Sequence, residues 1–182
     1  MEIAIFGLGY VGSVTAACLT AFGHRVTGID AHPAKAEAMN AGQSPVHEPG
    51  VGERLAEAVA AGRLRATTDG AAALAGCDAA IVCVGTPPGP GGAPDLSHVE
   101  SVFRQVADLA RAGSTRCRLL ALRSTSPPGT TRRMAALLDG TGIEVVFLPE
   151  FLREGNAVAD FFEPALAVVG TPDGQPARFP IG

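Results

Sequence analysis

The chain has 182 residues, 47% of them hydrophobic, with 23 glycines, 14 prolines and a net charge of −4. That length suits one domain with a sizeable core, and the acidic balance argues against a nucleic-acid or anionic-membrane surface. No apolar run reaches the roughly 18 residues of a membrane span, and the N-terminus enters a strand pattern without a basic leader, so a cytoplasmic protein is expected.

Strand and helix patterns alternate throughout. This predicts an α/β fold: a doubly wound, Rossmann-like, mostly parallel sheet in a single domain. The spacing predicts a strand over Glu2–Phe6, a helix over Val11–Phe22, a turn at Gly23-His24 and a second strand over Arg25–Asp30. Pro33 opens a helix to Asn40, Gly42–Gly50 is a loop, and Val51–Ala61 is a helix closed by Gly62. Leu64–Thr67 is a short strand, and Asp69 is expected to cap a helix over Gly70–Leu74. Asp78–Val84 is the near-continuous apolar run of a central strand covered on both faces. Gly85–Pro94 is a loop, Ser97–Arg111 a long amphipathic helix and Arg118–Arg123 another buried strand. Pro127 or Pro128 is expected to start a helix to Leu138. Ile143–Leu148 is the sixth strand, Leu166–Val169 a candidate seventh, and Thr171–Gly182 an untethered Pro/Gly-rich tail. The cysteines (Cys18, Cys77, Cys83, Cys117) show no metal spacing. Cys18 in the first helix and Cys83 inside its strand read as buried small hydrophobes, and no metal is expected.

The first 30 residues carry the sharpest signal. A strand runs into Gly7-Leu-Gly9-Tyr-Val-Gly12, a helix opens, and a second strand ends in Asp30. Gly7 permits a tight turn, Gly9 lets the backbone approach a pyrophosphate, and Gly12 allows close helix–strand packing. The helix N-terminus offers free N–H groups and partial positive charge to phosphates. Asp30 can accept hydrogen bonds from an adenosine ribose and would repel a 2′-phosphate, so NAD is expected and not NADP. His24 and His47 read as loop residues with no role.

Ligands of such sheets bind outside the carboxyl ends of the strands. Three loops there stand out: Gly85-Thr86-Pro87-Pro88, Ser124-Thr125-Ser126-Pro127-Pro128-Gly129-Thr130, and Pro149-Glu150-Phe151-Leu152-Arg153-Glu154-Gly155. With the glycine turn, Ser44-Pro-Val-His-Glu-Pro-Gly50 and Gly62-Arg-Leu-Arg-Ala-Thr-Thr-Asp69, these loops, as Cys83-Val-Gly-Thr-Pro87, Arg123-Ser-Thr125 with Pro128-Gly-Thr130, and Pro149 to Gly155, resemble the UDP-glucose/GDP-mannose dehydrogenases, in order, over Met1 to about Gly170. The resemblance implies an NAD-dependent oxidoreductase that takes the C6 alcohol of a nucleotide sugar to a carboxylate, in two hydride transfers, for polysaccharide precursor synthesis.

By that resemblance Gly7, Gly9, Tyr10, Val11 and Gly12 form the phosphate turn, Asp30 contacts the ribose, and Lys35 lies near the adenosine end. Thr86 and Thr125 flank the cofactor, and Thr125 also helps to hold a catalytic water. Glu150 assists thioester hydrolysis as a base. Glu150, Phe151, Leu152 and Arg153 line the nucleotide-sugar site, and Glu154 sits near the nicotinamide. Relatives carry Asn before the Pro-Glu-Phe run, whereas this chain has Leu148.

The family holds its aldehyde on a cysteine thiolate in a later glycine-rich segment followed by Pro-Lys-Asp. No cysteine here has that context. Residues 1–170 are therefore expected to be the NAD-binding domain of a longer enzyme, without its central helical and C-terminal substrate domains. Such a chain binds NAD and does not turn over substrate. The alternative is a stand-alone, non-catalytic NAD-binding module or a truncated gene product. A short-chain oxidoreductase is disfavoured, since Tyr10 is the only tyrosine and no Tyr-x-x-x-Lys occurs. Relatives pair through the central helix, so a homodimer is an open expectation for this chain.

Overall fold

The structure is a computed structural model and describes residues 1–172, 174, 175 and 177. Six strands, β1 (Glu2–Phe6), β2 (Arg25–Ile29), β3 (Leu64–Thr67), β4 (Ala79–Val82), β5 (Leu119–Leu122) and β6 (Glu144–Phe147), form one sheet. Their order is β3-β2-β1-β4-β5-β6, and every neighbouring pair is parallel. The helices are α1 (Tyr10–Ala21), α2 (Pro33–Asn40), α3 (Val51–Ala60), α4 (Gly70–Ala75), α5 (Ser97–Arg111), α6 (Thr130–Ala136) and α7 (Ala157–Phe162).

The period-2 alternation of the strands sorts the core into two layers. Ile3, Ile5, Ile81, Leu119 and Val146 face α1 and α3, where Val14, Cys18, Val51 and Leu55 meet them. Ala4, Phe6, Val82, Leu120 and Leu122 face the other way, against Leu74, Phe103 and Met134 of α4, α5 and α6. α1 is buried along most of its length, and its buried hydroxyls are satisfied locally: Thr15 donates to the Val11 carbonyl and Thr20 to that of Ala17. Asp69 caps α4 by accepting the Ala72 N–H at 3.0 Å, as the sequence predicts.

Several expectations change. α1 starts at Tyr10, so the second glycine of the turn is its cap. β4 ends at Val82, which leaves Cys83 beyond the strand and half-buried. Pro127 and Pro128 do not start α6: Gly129 caps it at φ +86°, a left-handed conformation that no helical residue adopts, and the prolines form the preceding turn. Leu166–Val169 is not a strand. Leu166 and Val169 are exposed, and its continuation pairs with β6 through a Phe147–Gly170 bridge. α7 has no counterpart in the sequence reading. It docks on α1, where Phe162 meets Phe22 (5.2 Å between centroids) and lies beneath the Arg54 guanidinium (4.9 Å). Of the tail, Ala177 packs against the first core layer, and residues 173, 176 and 178–182 lie outside the described residues.

Candidate functional site

The strand order reverses between β1 and β4, so the connections leave in opposite directions and a crevice opens at their carboxyl ends. It encloses about 680 Å3 and is lined by the glycine turn, the end of β2, and the loops after β4, β5 and β6.

The turn is built by steric necessity. Gly7 has φ +92°, and a Cβ on it would lie 2.7 Å from the Cys83 carbonyl oxygen. A Cβ on Gly12 would lie 1.8 Å from the Gly7 carbonyl oxygen. The tight contact of Gly12 is thus with the turn itself; the expected approach to the strand side, at Cys83, is a looser 3.4 Å. Gly9 is different: a Cβ there meets nothing within 4 Å. The space over its backbone is open, and as the cap of α1 it brings no side chain to the helix N-terminus. An open approach to free N–H groups is what a pyrophosphate requires.

Asp30 closes the far end. It is buried, and its oxygens accept from the Leu8 N–H (2.8 Å), the His32 N–H (3.0 Å), His32 Nδ1 (3.1 Å) and Lys35 Nζ (3.2 Å). Burial alone would raise its pKa. The two backbone donors, with Lys35 and His32, outweigh burial and hold the carboxyl below the ordinary range. A fixed, ionised acid beside the glycine turn suits a ribose diol.

Thr86 donates to the Thr125 carbonyl at 3.0 Å, joining the loops after β4 and β5. Ser124 is buried and donates to the Val84 carbonyl at 2.7 Å. Glu150 accepts the Leu152 N–H at 2.8 Å and borders both this crevice and a second, apolar cavity of about 1100 Å3 over Ile3, Ile81, Leu119 and Ala121. Arg123 also borders both. Its Nε is buried without a partner among the described residues, and burial pulls its pKa down against the favourable charge of Glu150. Phe151, Leu152 and Arg153 line the second cavity and not the crevice, and Glu154 is exposed and lines neither. The Arg153 guanidinium is occupied by Asp160 (2.6 and 3.1 Å). Of the four cysteines only Cys83 borders the crevice, and burial pushes its thiol up to about 12.

Three site residues are given no role by the sequence reading, although Glu48 and Arg123 lie within its motifs. Arg123 and His98 line the crevice. Glu48, inside the Ser44–Gly50 motif, is buried beneath Tyr10 and accepts its hydroxyl at 2.7 Å. The signal for Glu48 was an acid held in a proline-flanked loop.

The sequence model described as "UDP-glucose/GDP-mannose dehydrogenase family, NAD binding domain" matches residues 1–179. The chain is 42% identical over 181 residues to a GDP-mannose 6-dehydrogenase of Pseudomonas putida, covering 95% of this chain and 41% of that protein. It superposes with a TM-score of 0.88 on a GDP-mannose dehydrogenase from Pseudomonas aeruginosa solved as a ternary complex (39% identity; 94% of this chain, 41% of that one). A UDP-glucose dehydrogenase from Pyrobaculum islandicum gives 0.84 at 42% identity, covering 94% of this chain and 40% of that one. The chain therefore belongs to the UDP-glucose/GDP-mannose dehydrogenase family and spans its NAD-binding domain, about two-fifths of the length of these relatives.

Proposed function

We propose that this chain is the cofactor-holding part of a nucleotide-sugar 6-dehydrogenase that acts on UDP-glucose or GDP-mannose. The observation that supports this best is convergence. Thr125 and Glu150, from the loops after β5 and β6, border the same crevice as Gly7, Gly9, Tyr10, Val11 and Asp30.

NAD, when bound, supplies the hydride acceptor. Gly9, Tyr10 and Val11 would present backbone N–H groups to its pyrophosphate, with Gly7 and Gly12 shaping the turn. Asp30 and Lys35 would hold the adenosine end, and Thr86 and Thr125 would flank the nicotinamide end. Thr125 is exposed toward the open crevice, where its hydroxyl can orient a water. Glu150 can take a proton from that water, its carboxylate aimed by the Leu152 N–H. Phe151, Leu152 and Arg153 would border the sugar nucleotide from the second cavity.

By the family resemblance, the aldehyde is carried on to the acid on a cysteine thiolate. Cys83, with its thiol pushed up to about 12, is protonated at neutral pH and is no such nucleophile. The chain is thus expected to bind NAD without sustained turnover. Incubation with NAD and UDP-glucose or GDP-mannose, followed at the NADH absorbance, tests this. A flat trace is expected, and continuous NADH production would overturn it.

A further inference from the structure

Glu48 lies in the loop before α3, and nothing in the sequence pattern of the cofactor turn calls for it. Its side chain is nonetheless buried and bonded on both oxygens. Oε2 accepts the Tyr10 hydroxyl at 2.7 Å and the Gly155 N–H at 2.8 Å, and Oε1 accepts the Ala157 N–H at 2.9 Å. Two segments far apart in sequence, the start of α1 and residues 155–157, meet on one carboxylate from a third. Tyr10 is the first residue of α1 and lines the crevice. Gly155 ends the run that begins at Glu150, and Ala157 is the first residue of α7.

We propose that Glu48 is a positioning residue that clamps the cofactor turn, through Tyr10, to the Glu150–Gly155 segment. This rests on the crevice being the NAD site. The physical case is one of strength and placement. Bonds to an ionised acceptor are shorter and stronger than neutral ones, and three converge here on one buried residue. A loop after a strand otherwise holds its place by few contacts. Between Pro149 and α7, Glu150 on the Leu152 N–H and Arg153 with Asn156 on Asp160 are anchors local to that segment. Glu48 ties the segment to the turn that receives the dinucleotide by the short bonds, beside a long direct one from the Tyr10 hydroxyl to the Arg153 carbonyl at 3.5 Å. Cofactor binding at Tyr10 and order at Gly155 and Ala157 are then coupled, and coupling between two sites is reciprocal.

The test uses the full chain. NAD affinity by calorimetry is measured for the unaltered protein, Glu48→Gln, Tyr10→Phe and the double variant. Glu48→Gln keeps the shape and loses the charge. It is expected to weaken NAD by roughly fivefold to a hundredfold, the usual range of a coupling between two sites. In the Tyr10→Phe background its effect should shrink, because the link between the two is already cut. Unchanged affinity in Glu48→Gln, or effects that simply multiply, would overturn the proposal. A residue that only stabilised the fold would lower the melting temperature and leave the affinity of the folded protein alone. A second measurement needs no variant. Saturating NAD should slow hydrogen exchange of the Gly155 and Ala157 amides in the unaltered chain, and exchange that NAD does not change there would overturn the clamp. If the unaltered chain gave no NAD binding heat, the reading of the crevice itself would fall, and the clamp with it.

Discussion

The crevice and the apolar cavity beside it share Arg123 and Glu150, yet they are finished to different degrees. In the crevice every built feature has its reason within the chain: Gly7 and Gly12 fit a turn that admits no Cβ, and Asp30 is held by four donors. The cavity is floored by Ile81, Leu119 and Ala121 and rimmed by Phe22, Phe151, Leu166 and Val169, which are from 43% to 61% exposed. The difference teaches that a dinucleotide site is made by backbone and one fixed acid, which a single βαβ unit can supply. The neighbouring surface depends on side chains that nothing among the described residues covers.

The largest expected effect lies in the crevice. Gly12→Ala places a methyl against the Gly7 carbonyl, so the turn must open; a loss of about 4 kcal/mol or more is expected. Gly9→Ala, by contrast, meets only open space and should change stability by less than about 0.5 kcal/mol. It should still weaken NAD, because the methyl occupies the approach to the backbone. Thermal melts and calorimetry on the pair separate the fold from the site, and a Gly12→Ala protein that melts like its parent would break the comparison.

Asp30→Ala comes next. Removing a fixed acceptor should lower the preference for NAD over NADP roughly tenfold or more, read by paired titrations. An unchanged preference would remove Asp30 from the ribose role. At the shared border, Arg123→Met should raise the unfolding free energy by about 1 kcal/mol, since a buried, incompletely bonded cation is replaced by an apolar chain of similar length. Destabilisation in a denaturant melt would mean that its guanidinium is better partnered than its Nε.

Acid gives the smallest effect. Asp30 in the crevice and Asp160 beside the cavity are both held below the ordinary range, burial opposing the hydrogen bonds in each. A depressed carboxyl stabilises the fold fully above its unfolded value, near about 4, and loses that contribution as pH falls through the lower folded value. Melting temperature should therefore fall below pH ~4, and less steeply in Asp160→Asn. Equal slopes would remove Asp160 from the balance.

Much of this was legible in the sequence. The glycine turn, Asp30 and the strand alternation act locally, so spacing alone places them, and the six strands fall within a residue or two of where they are expected. The misses arise where tertiary contact decides. α7 forms because Phe161 and Phe162 pack onto α1 and Phe22, not because its own pattern demands a helix. Leu166–Val169 has strand composition, yet the chain meets the outer edge of β6 only at the Phe147–Gly170 bridge. Glu48 looks like an ordinary loop charge until Gly155 and Ala157, over 100 residues away, are in place, and Arg123 like an ordinary strand-end charge until the fold buries it.

Calorimetric titration of the chain with NAD, with NADP as the control, tests the account most directly. Saturable binding of NAD, tighter than that of NADP, is expected; no saturable heat at millimolar NAD would contradict it.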